Sequence, residues 1–289
     1  MFVNERRSVS QPCTTTDMSH VMSTQPRRSL FAYIFAKAQF YCVVFVLIPF
    51  IFVFQVTVVY PELVKKLKAG IAKQIFHICL ISFCFINVVG NLVYSIMMDS
   101  TLKRPAFGEG TYCEECRMVR PVRSWHCMQC NVCIMKRDHH CSFLSRCIGL
   151  YNQRYFVLFL GHVMLSMIYA TYYNYYFVTM KFKDGWALSA FRIINPLLRF
   201  VIPEPMGSKD VYLFFLFMNI ALIFWSGGLF YWHFKNVVMG VTSYEARFPE
   251  LKDASRWKQN LLNVFGTKWY LAIIWPMCKS PLPEDAKYV

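Results

Sequence analysis

The sequence predicts an all-α integral membrane protein of four transmembrane helices, with a cysteine-rich domain between the second and the third. Three observations predict it. The chain of 289 residues is 56% hydrophobic and 18% aromatic, too apolar for an ordinary soluble domain. It contains four long runs free of Asp, Glu, Lys and Arg. Seven of its twelve cysteines and three of its seven histidines fall between Cys113 and Cys147.

Residues 1–38 are polar and rich in Ser and Thr at the start, and no apolar core marks a signal peptide. They read as a cytosolic tail carrying Arg6, Arg7, Arg27 and Arg28, with Cys13 an unremarkable thiol. The four apolar runs are Gln39 to Tyr60, Gln74 to Met98, Tyr155 to Met180 and Val211 to Phe234. Each is long enough to cross the roughly 30 Å hydrocarbon core as a helix. Four crossings put both termini and the cysteine-rich segment on one side.

Charge chooses the side. The net charge is +15, from 31 Lys and Arg against 16 Asp and Glu. The segments flanking the spans on the terminal side hold 22 of the basic residues and the two opposite loops hold 9, which places the larger share in the cytosol. Lys65, Lys66, Lys68 and Lys73 in the first opposite loop run against this trend. Reduced, metal-binding cysteines suit the cytosol as well. The basic excess fits anionic lipid or a polyanionic ligand. Nucleic acid is not an expected partner of so apolar a chain.

The expected divisions are therefore residues 1–38 as tail, 39–98 as helices 1 and 2, 99–154 as the cysteine-rich domain, 155–234 as helices 3 and 4 with a luminal loop, and 235–289 as a cytosolic C-terminal region. Trp186 to Ile202 is apolar but broken by Arg192, Pro196 and Arg199, so it reads as an interfacial or luminal segment rather than a fifth span. Trp269 to Cys278 is too short to cross and either lies at the interface or folds back on the bundle. Gly227-Gly228 in the fourth run permits close helix approach or a kink.

The cysteine-rich segment carries the chemistry. Cys113-x2-Cys116 and Cys127-x2-Cys130 are turns that hold one metal each through two sulfurs. His126, Cys133, His140 and Cys147 can complete two sites of three cysteines and one histidine. His139 and Cys141 then remain, with Asp138 beside them. A free thiol, a free imidazole and a carboxylate within four residues are the parts of an activated nucleophile. A purely structural zinc module with Cys141 as a spare thiol is the competing reading, and a disulfide framework fits the CxxC and histidine spacing less well.

This segment resembles the cysteine-rich domain of the DHHC family of membrane protein S-acyltransferases. The match runs through Arg120-Pro121-Val122-Arg123-Ser124-Trp125-His126-Cys127, Asp138-His139-His140-Cys141, Asn152 and Phe156. Thr242-Ser243-Tyr244-Glu245 resembles the family's TTxE motif, and Asn260 to Gly266 its later C-terminal motif. The resemblance implies one zinc on Cys113, Cys116, His126 and Cys133, and a second on Cys127, Cys130, His140 and Cys147. It implies Cys141 as acyl-accepting nucleophile, His139 as base and Asp138 as its partner. The chain departs from the pattern at Ser142-Phe143, where Pro-Trp is usual, and at Ser145-Arg146, where Asn-Asn is usual.

The expectation is a cytosolic domain with two structural zinc ions and a two-step transfer from a long-chain acyl-CoA, such as palmitoyl-CoA, through acyl-Cys141. The acceptors are cytosolic cysteines of membrane-associated proteins. Arg120, Arg123, Lys136 and Arg137 are the candidate contacts for coenzyme A. A small Ser166 in the third span would leave room for a long chain. The endoplasmic reticulum or Golgi is the expected site, with the plasma membrane a further candidate. The rival class is a non-catalytic, zinc-bearing membrane scaffold or adaptor. A transporter fits less well, because no acidic residue lies inside a span.

Overall fold

A computed structural model of the chain describes residues 30–105, 110–182, 187–195 and 207–287. Cys13, Arg6, Arg7, Arg27, Arg28, Trp186, Pro196 and Arg199 lie outside the described residues. Among the described residues four helices are long and apolar enough to cross a membrane: Lys37–Leu67, Ile71–Met97, Gln153–Lys181 and Lys209–Val238. They match the four expected runs and extend past them at most ends, because the helix continues into flanking polar residues. A helix is forced on these segments, since lipid supplies no hydrogen-bond partner to a free backbone group.

The first crossing is a continuous rod built from α1 (Leu30–Cys42), α2 (Ile48–Phe54) and α3 (Tyr60–Leu67). Between them lie two π-helical segments, Val43–Leu47 and Gln55–Val59. Each precedes a proline, Pro49 and Pro61. A proline ring clashes with the carbonyl four residues earlier, and Phe45 and Thr57 carry those carbonyls. Widening the turn around them keeps the rod helical. Lys68, in the left-handed region at φ 45°, ends the rod, and Gly70 opens α4 (Ile71–Met97).

The third crossing, α5 (Gln153–Lys181), packs along α7 (Ser208–Val238) and then along α4. Small residues set that approach: a Cβ on Gly161 would meet Phe230, and one on Gly227 would touch Met164. Close helix approach is therefore the role of Gly227. The short α6 (Ala187–Ile194) packs on α7 at the opposite end of the bundle from the cysteine-rich segment. After α7, α8 (Trp257–Phe265) and α9 (Trp269–Ile274) fold back on the bundle. His162 of α5 donates to the Ile273 carbonyl at 2.9 Å, and Arg154 donates to the Ser280 carbonyl at 2.7 Å.

The cysteine-rich segment adds what the helical reading did not name: three antiparallel hairpins, β1–β2 (Gly110–Cys113, Met118–Pro121), β3–β4 (Trp125–Cys127, Val132–Ile134) and β5–β6 (His139–Cys141, Arg146–Ile148). They are one unit repeated at a spacing of fourteen residues. Cys113, Cys127 and Cys141 end the first strand of each hairpin, opposite Met118, Val132 and Arg146. The last residue of each loop, Arg117, Asn131 or Ser145, turns the chain in the left-handed region. In the second and third hairpins a histidine then faces a cysteine across the ladder, His126 opposite Cys133 and His140 opposite Cys147.

Asn152 ties this unit to the bundle. Fully buried, it donates to the Ser95 carbonyl at 3.1 Å and the Cys147 carbonyl at 3.0 Å, and accepts from the Gly149 N–H at 2.8 Å. One side chain thus pins the last hairpin against the end of α4 and the start of α5.

Candidate active site

The hairpin repeat explains how the metal clusters form. Each Cys-x2-Cys loop of one hairpin meets the His–Cys pair of the next. Cys113, Cys116, His126 and Cys133 bring their ligand atoms within 4.8 Å of one another, and so do Cys127, Cys130, His140 and Cys147. The two clusters share one geometry. Nδ1 of His126 stands 3.3 Å from Cys116 Sγ, and Nδ1 of His140 stands 3.3 Å from Cys130 Sγ. Three sulfurs and one imidazole nitrogen converging this closely are a donor set for a tetrahedral thiophilic ion. All eight expected ligands are brought together.

The third hairpin breaks the repeat. Cys141 stands at the position of Cys113 and Cys127, but Leu144 stands where Cys116 and Cys130 supply the second sulfur. Among the described residues no fourth hairpin offers it a His–Cys pair. Cys141 is buried in an apolar cluster with Leu144, Val88, Phe156 and Phe159. The residue that ends a metal-binding strand twice ends this one as a free thiol.

Asp138 and His139 supply the setting. The Asp138 side chain is fully enclosed, and its Oδ2 lies 2.6 Å from Nδ1 of His139. Ser243 donates to the same carboxylate twice, from its N–H at 2.7 Å and from its Oγ at 2.9 Å. His233 of α7 brings a second imidazole, Nδ1 3.4 Å from Oδ2. Burial alone would raise the Asp138 pKa; hydrogen bonds from His139 and His233 outweigh it and hold the carboxyl well below the usual carboxylate range. Burial would lower His139, but hydrogen bonds to Asp138 and Cys141 raise it to about 9. The His139 ring also packs edge-on against Phe156, as does the ring of His233.

Sequence reasoning missed His233 and the bonds from Ser243 to Asp138. A histidine inside an apolar span was itself a signal, because a membrane-embedded ionisable side chain needs a partner.

A cavity of about 310 Å³ runs between the first rod, α4, α5 and α7. Val88, Phe143 and Phe159 line it and also belong to the cluster around Cys141, so the cavity begins beside the thiol. Ser166 lines it deeper in the bundle. At its far end His77 bonds the hydroxyls of Tyr169 and Tyr173.

The four basic residues considered for a polyanion face inward. Arg120 stacks on Trp125 with 4.4 Å from Cζ to the ring centre and donates to the Ser124 carbonyl. Arg123 pairs with Glu245, Nε to Oε1 at 2.7 Å, and also donates to the Gly240 carbonyl. Arg137 is buried with one nitrogen 3.9 Å from Cys127 Sγ. Lys136 is buried too, and desolvation with Arg123 nearby pushes its ammonium down to about 7.

Comparison with known proteins agrees with this geometry. The family model for the DHHC palmitoyltransferase matches residues 106–248. A rat protein named probable palmitoyltransferase ZDHHC24 (Rattus norvegicus) is 29% identical over 225 residues, covering 72% of this chain and 76% of its own. Rat palmitoyltransferase ZDHHC22 is 27% identical over 248 residues, covering 84% of this chain and 91% of its own. The fission yeast palmitoyltransferase erf2 (Schizosaccharomyces pombe) is 40% identical over 90 residues, covering 31% of this chain and 26% of its own. The matched stretch takes in both metal clusters, the thiol at the broken repeat and the Ser243 that holds Asp138, so residues 106–248 carry a DHHC palmitoyltransferase domain.

Proposed function

We propose that this chain is a protein S-acyltransferase that moves a long-chain acyl group, palmitoyl foremost, from acyl-CoA to cysteine thiols of membrane-associated proteins. One observation carries the reading: a free thiol next to an Asp–His pair packs on the apolar side chains that line one end of a cavity inside a membrane bundle. Such a cavity takes an acyl chain, and such a thiol takes its thioester.

In this reading Cys141 Sγ attacks the thioester carbonyl carbon of acyl-CoA. His139 holds the proton of the thiol, with Asp138 orienting the ring and stabilising its charged form. The coenzyme A sulfur leaves with that proton, and an acyl-Cys141 thioester remains. A thiol of the acceptor protein then attacks this thioester, His139 takes its proton, and Cys141 is released. The order is ping-pong because the intermediate is covalent.

Zinc suits both Cys3His clusters, and its contribution is to folding. Four protein ligands leave no open position, so the ions rigidify hairpins that have little core of their own. Cys113, Cys116, His126 and Cys133 hold one, and Cys127, Cys130, His140 and Cys147 the other. The division proposed for the chain is a tail at 1–38, helices at 39–98, the zinc domain at 99–154, helices at 155–234 and a C-terminal region at 235–289. The termini and the zinc domain face the cytosol, on the basic side of a multi-pass protein of the endoplasmic reticulum or Golgi. The phosphates of coenzyme A meet the basic face around the zinc domain. Arg120, Arg123, Lys136 and Arg137 line its inner side, where they brace the surface that receives them.

A scaffold gives no reason for a buried thiol to adjoin an Asp–His pair. The test is incubation of purified protein with labelled palmitoyl-CoA and mass spectrometry of the Cys141 peptide. Acyl-Cys141 in the wild type and none in Cys141→Ser supports the reading; equal labelling of the serine variant rejects it.

A further inference from the structure

Arg146 stands in a position that the hairpin repeat gives to an apolar residue. In the first hairpin Met118 lies directly opposite Cys113 and packs on the cluster of Cys113 and Cys133. In the second, Val132 lies opposite Cys127 and packs on the cluster of Cys127 and Cys147. In the third, Arg146 lies opposite Cys141. Residues directly opposed in an antiparallel ladder share a face, with Cβ atoms about 4.5–5.5 Å apart. The apolar side chain that covers a metal cluster twice is thus replaced by an arginine on the strand position facing the nucleophile.

One donor of that partly exposed arginine is unsatisfied. Its Nε is buried without a hydrogen-bond partner. Arg120, Arg137 and Arg154 also have a buried, unpartnered Nε, but each is engaged through a terminal nitrogen. Among the described residues no hydrogen bond or ion pair holds the guanidinium of Arg146. A buried donor left unmatched is costly, and it is a favourable feature only where a partner arrives during function.

We propose that Arg146 is a catalytic residue that donates a hydrogen bond to the thioester carbonyl oxygen of the acyl donor as that oxygen becomes an oxyanion. The inference rests on the S-acyltransferase reading and adds a group to it. Cys141 Sγ bonds the carbonyl carbon and the carbonyl electron pair moves to oxygen, where the Nε–H of Arg146 meets it. Collapse restores the C=O bond and breaks the bond to the coenzyme A sulfur, which takes the proton from His139. A preformed donor aimed at the developing oxyanion acts on the transition state more than on the bound substrate.

The experiment is single-turnover acylation of the purified full chain by palmitoyl-CoA, for wild type, Arg146→Met and Arg146→Lys. Methionine reproduces the Met118 position; lysine keeps the charge and lacks the Nε donor. Alkylation of Cys141 by iodoacetamide is measured in parallel, because it needs the thiol but develops no oxyanion. The expected result is a saturating acylation rate about 10²-fold lower in both variants, the loss typical of one oxyanion donor, with unchanged alkylation and two zinc ions per chain. A wild-type saturating rate in Arg146→Met, or a variant that only needs more palmitoyl-CoA, overturns the inference and leaves the enzyme reading standing. Equal slowing of alkylation overturns it too, because Arg146 then acts on the thiol. Failure of wild type to form acyl-Cys141 overturns both.

Discussion

His233 points its Nδ1 at the Asp138 carboxylate from the end of the fourth membrane helix, 3.4 Å from Oδ2. Asp138 therefore holds two imidazoles, His139 on its own hairpin and His233 from the bundle. Ser243, just beyond the same helix, closes the remaining side of the carboxylate. The orientation of His139 is thus set by a span that lies about a hundred residues downstream in the chain. The membrane bundle thus fixes the geometry of the strand that carries His139 and Cys141.

His233→Leu should therefore slow formation of the acyl-enzyme while both metal clusters stay loaded. Loss of alignment in a preorganised site costs about 10–10²-fold. Ser243→Ala should act in the same direction and should add little to His233→Leu, because both act through one carboxylate. Single-turnover acylation with zinc analysis decides it, and a His233→Leu rate equal to wild type would remove the histidine from the site.

The four crossings were legible because a membrane imposes one demand on a segment, and long uncharged runs such as Tyr155 to Met180 meet it without help from the rest of the chain. The metal ligands were legible because Cys-x2-Cys spacing is a local property of a loop. The hairpins were not read, since strands of three or four residues leave no periodicity to find. The repeat that unites Cys113, Cys127 and Cys141 was present in the spacing but hidden by its third member, where Leu144 replaces a cysteine. The apolar span around His233 and the motif holding Ser243 and Glu245 marked these residues, but nothing local named the groups they meet. Their partners Asp138 and Arg123 are distant in sequence and come near only when α7 packs on α5.

Adjacent histidines should behave as opposites. His140 faces three sulfurs and His139 faces a carboxylate. His140→Ala should lower zinc content and the unfolding temperature, as should Cys113→Ala, because metal binding contributes folding free energy. His139→Ala should keep both ions and lose roughly 10²–10⁴-fold in acylation rate, the usual effect of removing a general base. Zinc analysis of the two histidine variants checks this, and equal zinc loss would mean that the two roles are exchanged.

The His139–Asp138 pair should leave a mark on stability against pH. A histidine raised in the folded protein to about 9, from an ordinary 6.5, stabilises the fold fully below pH 6.5, and the contribution fades as pH rises through 9. Asp138 is ionised throughout that window. Between pH 6.5 and 9.5 the unfolding temperature of detergent-solubilised wild type should fall more than that of His139→Gln. Parallel curves for the two proteins would show that the imidazolium carries no stability.

Arg123 and Glu245 join the cysteine-rich domain to the segment after α7, and both side chains are largely buried. Glu245 also accepts from the Thr242 N–H at 2.8 Å, so it closes its own turn while gripping the arginine. Glu245→Leu leaves a buried guanidinium unpaired and should cost about 3 kcal/mol. Arg123→Met with Glu245→Leu together should cost less than the sum of the single changes, since neither charge is then left alone. Thermal unfolding of the four proteins measures the coupling, and additive losses would mean the pair is not coupled.

Chain length is the last property that the bundle can set. Ser166 lies thirteen residues into α5 and lines the cavity that begins beside Cys141. At 1.5 Å per residue that is about 20 Å along the helix from its start, close to the reach of an extended sixteen-carbon chain. One turn deeper the cavity meets Tyr169, whose hydroxyl bonds His77, and Tyr173 bonds the same ring. These three polar side chains satisfy one another and leave an apolar chain no favourable path beyond them. A serine at 166 therefore keeps the cavity open down to the Tyr169 level. Ser166→Tyr should fill the lower part, shifting preference toward shorter acyl-CoAs while zinc content and reaction with twelve- or fourteen-carbon donors persist. Competition between fourteen-, sixteen- and eighteen-carbon donors measures the shift, and an unchanged profile would show that the chain does not pass Ser166.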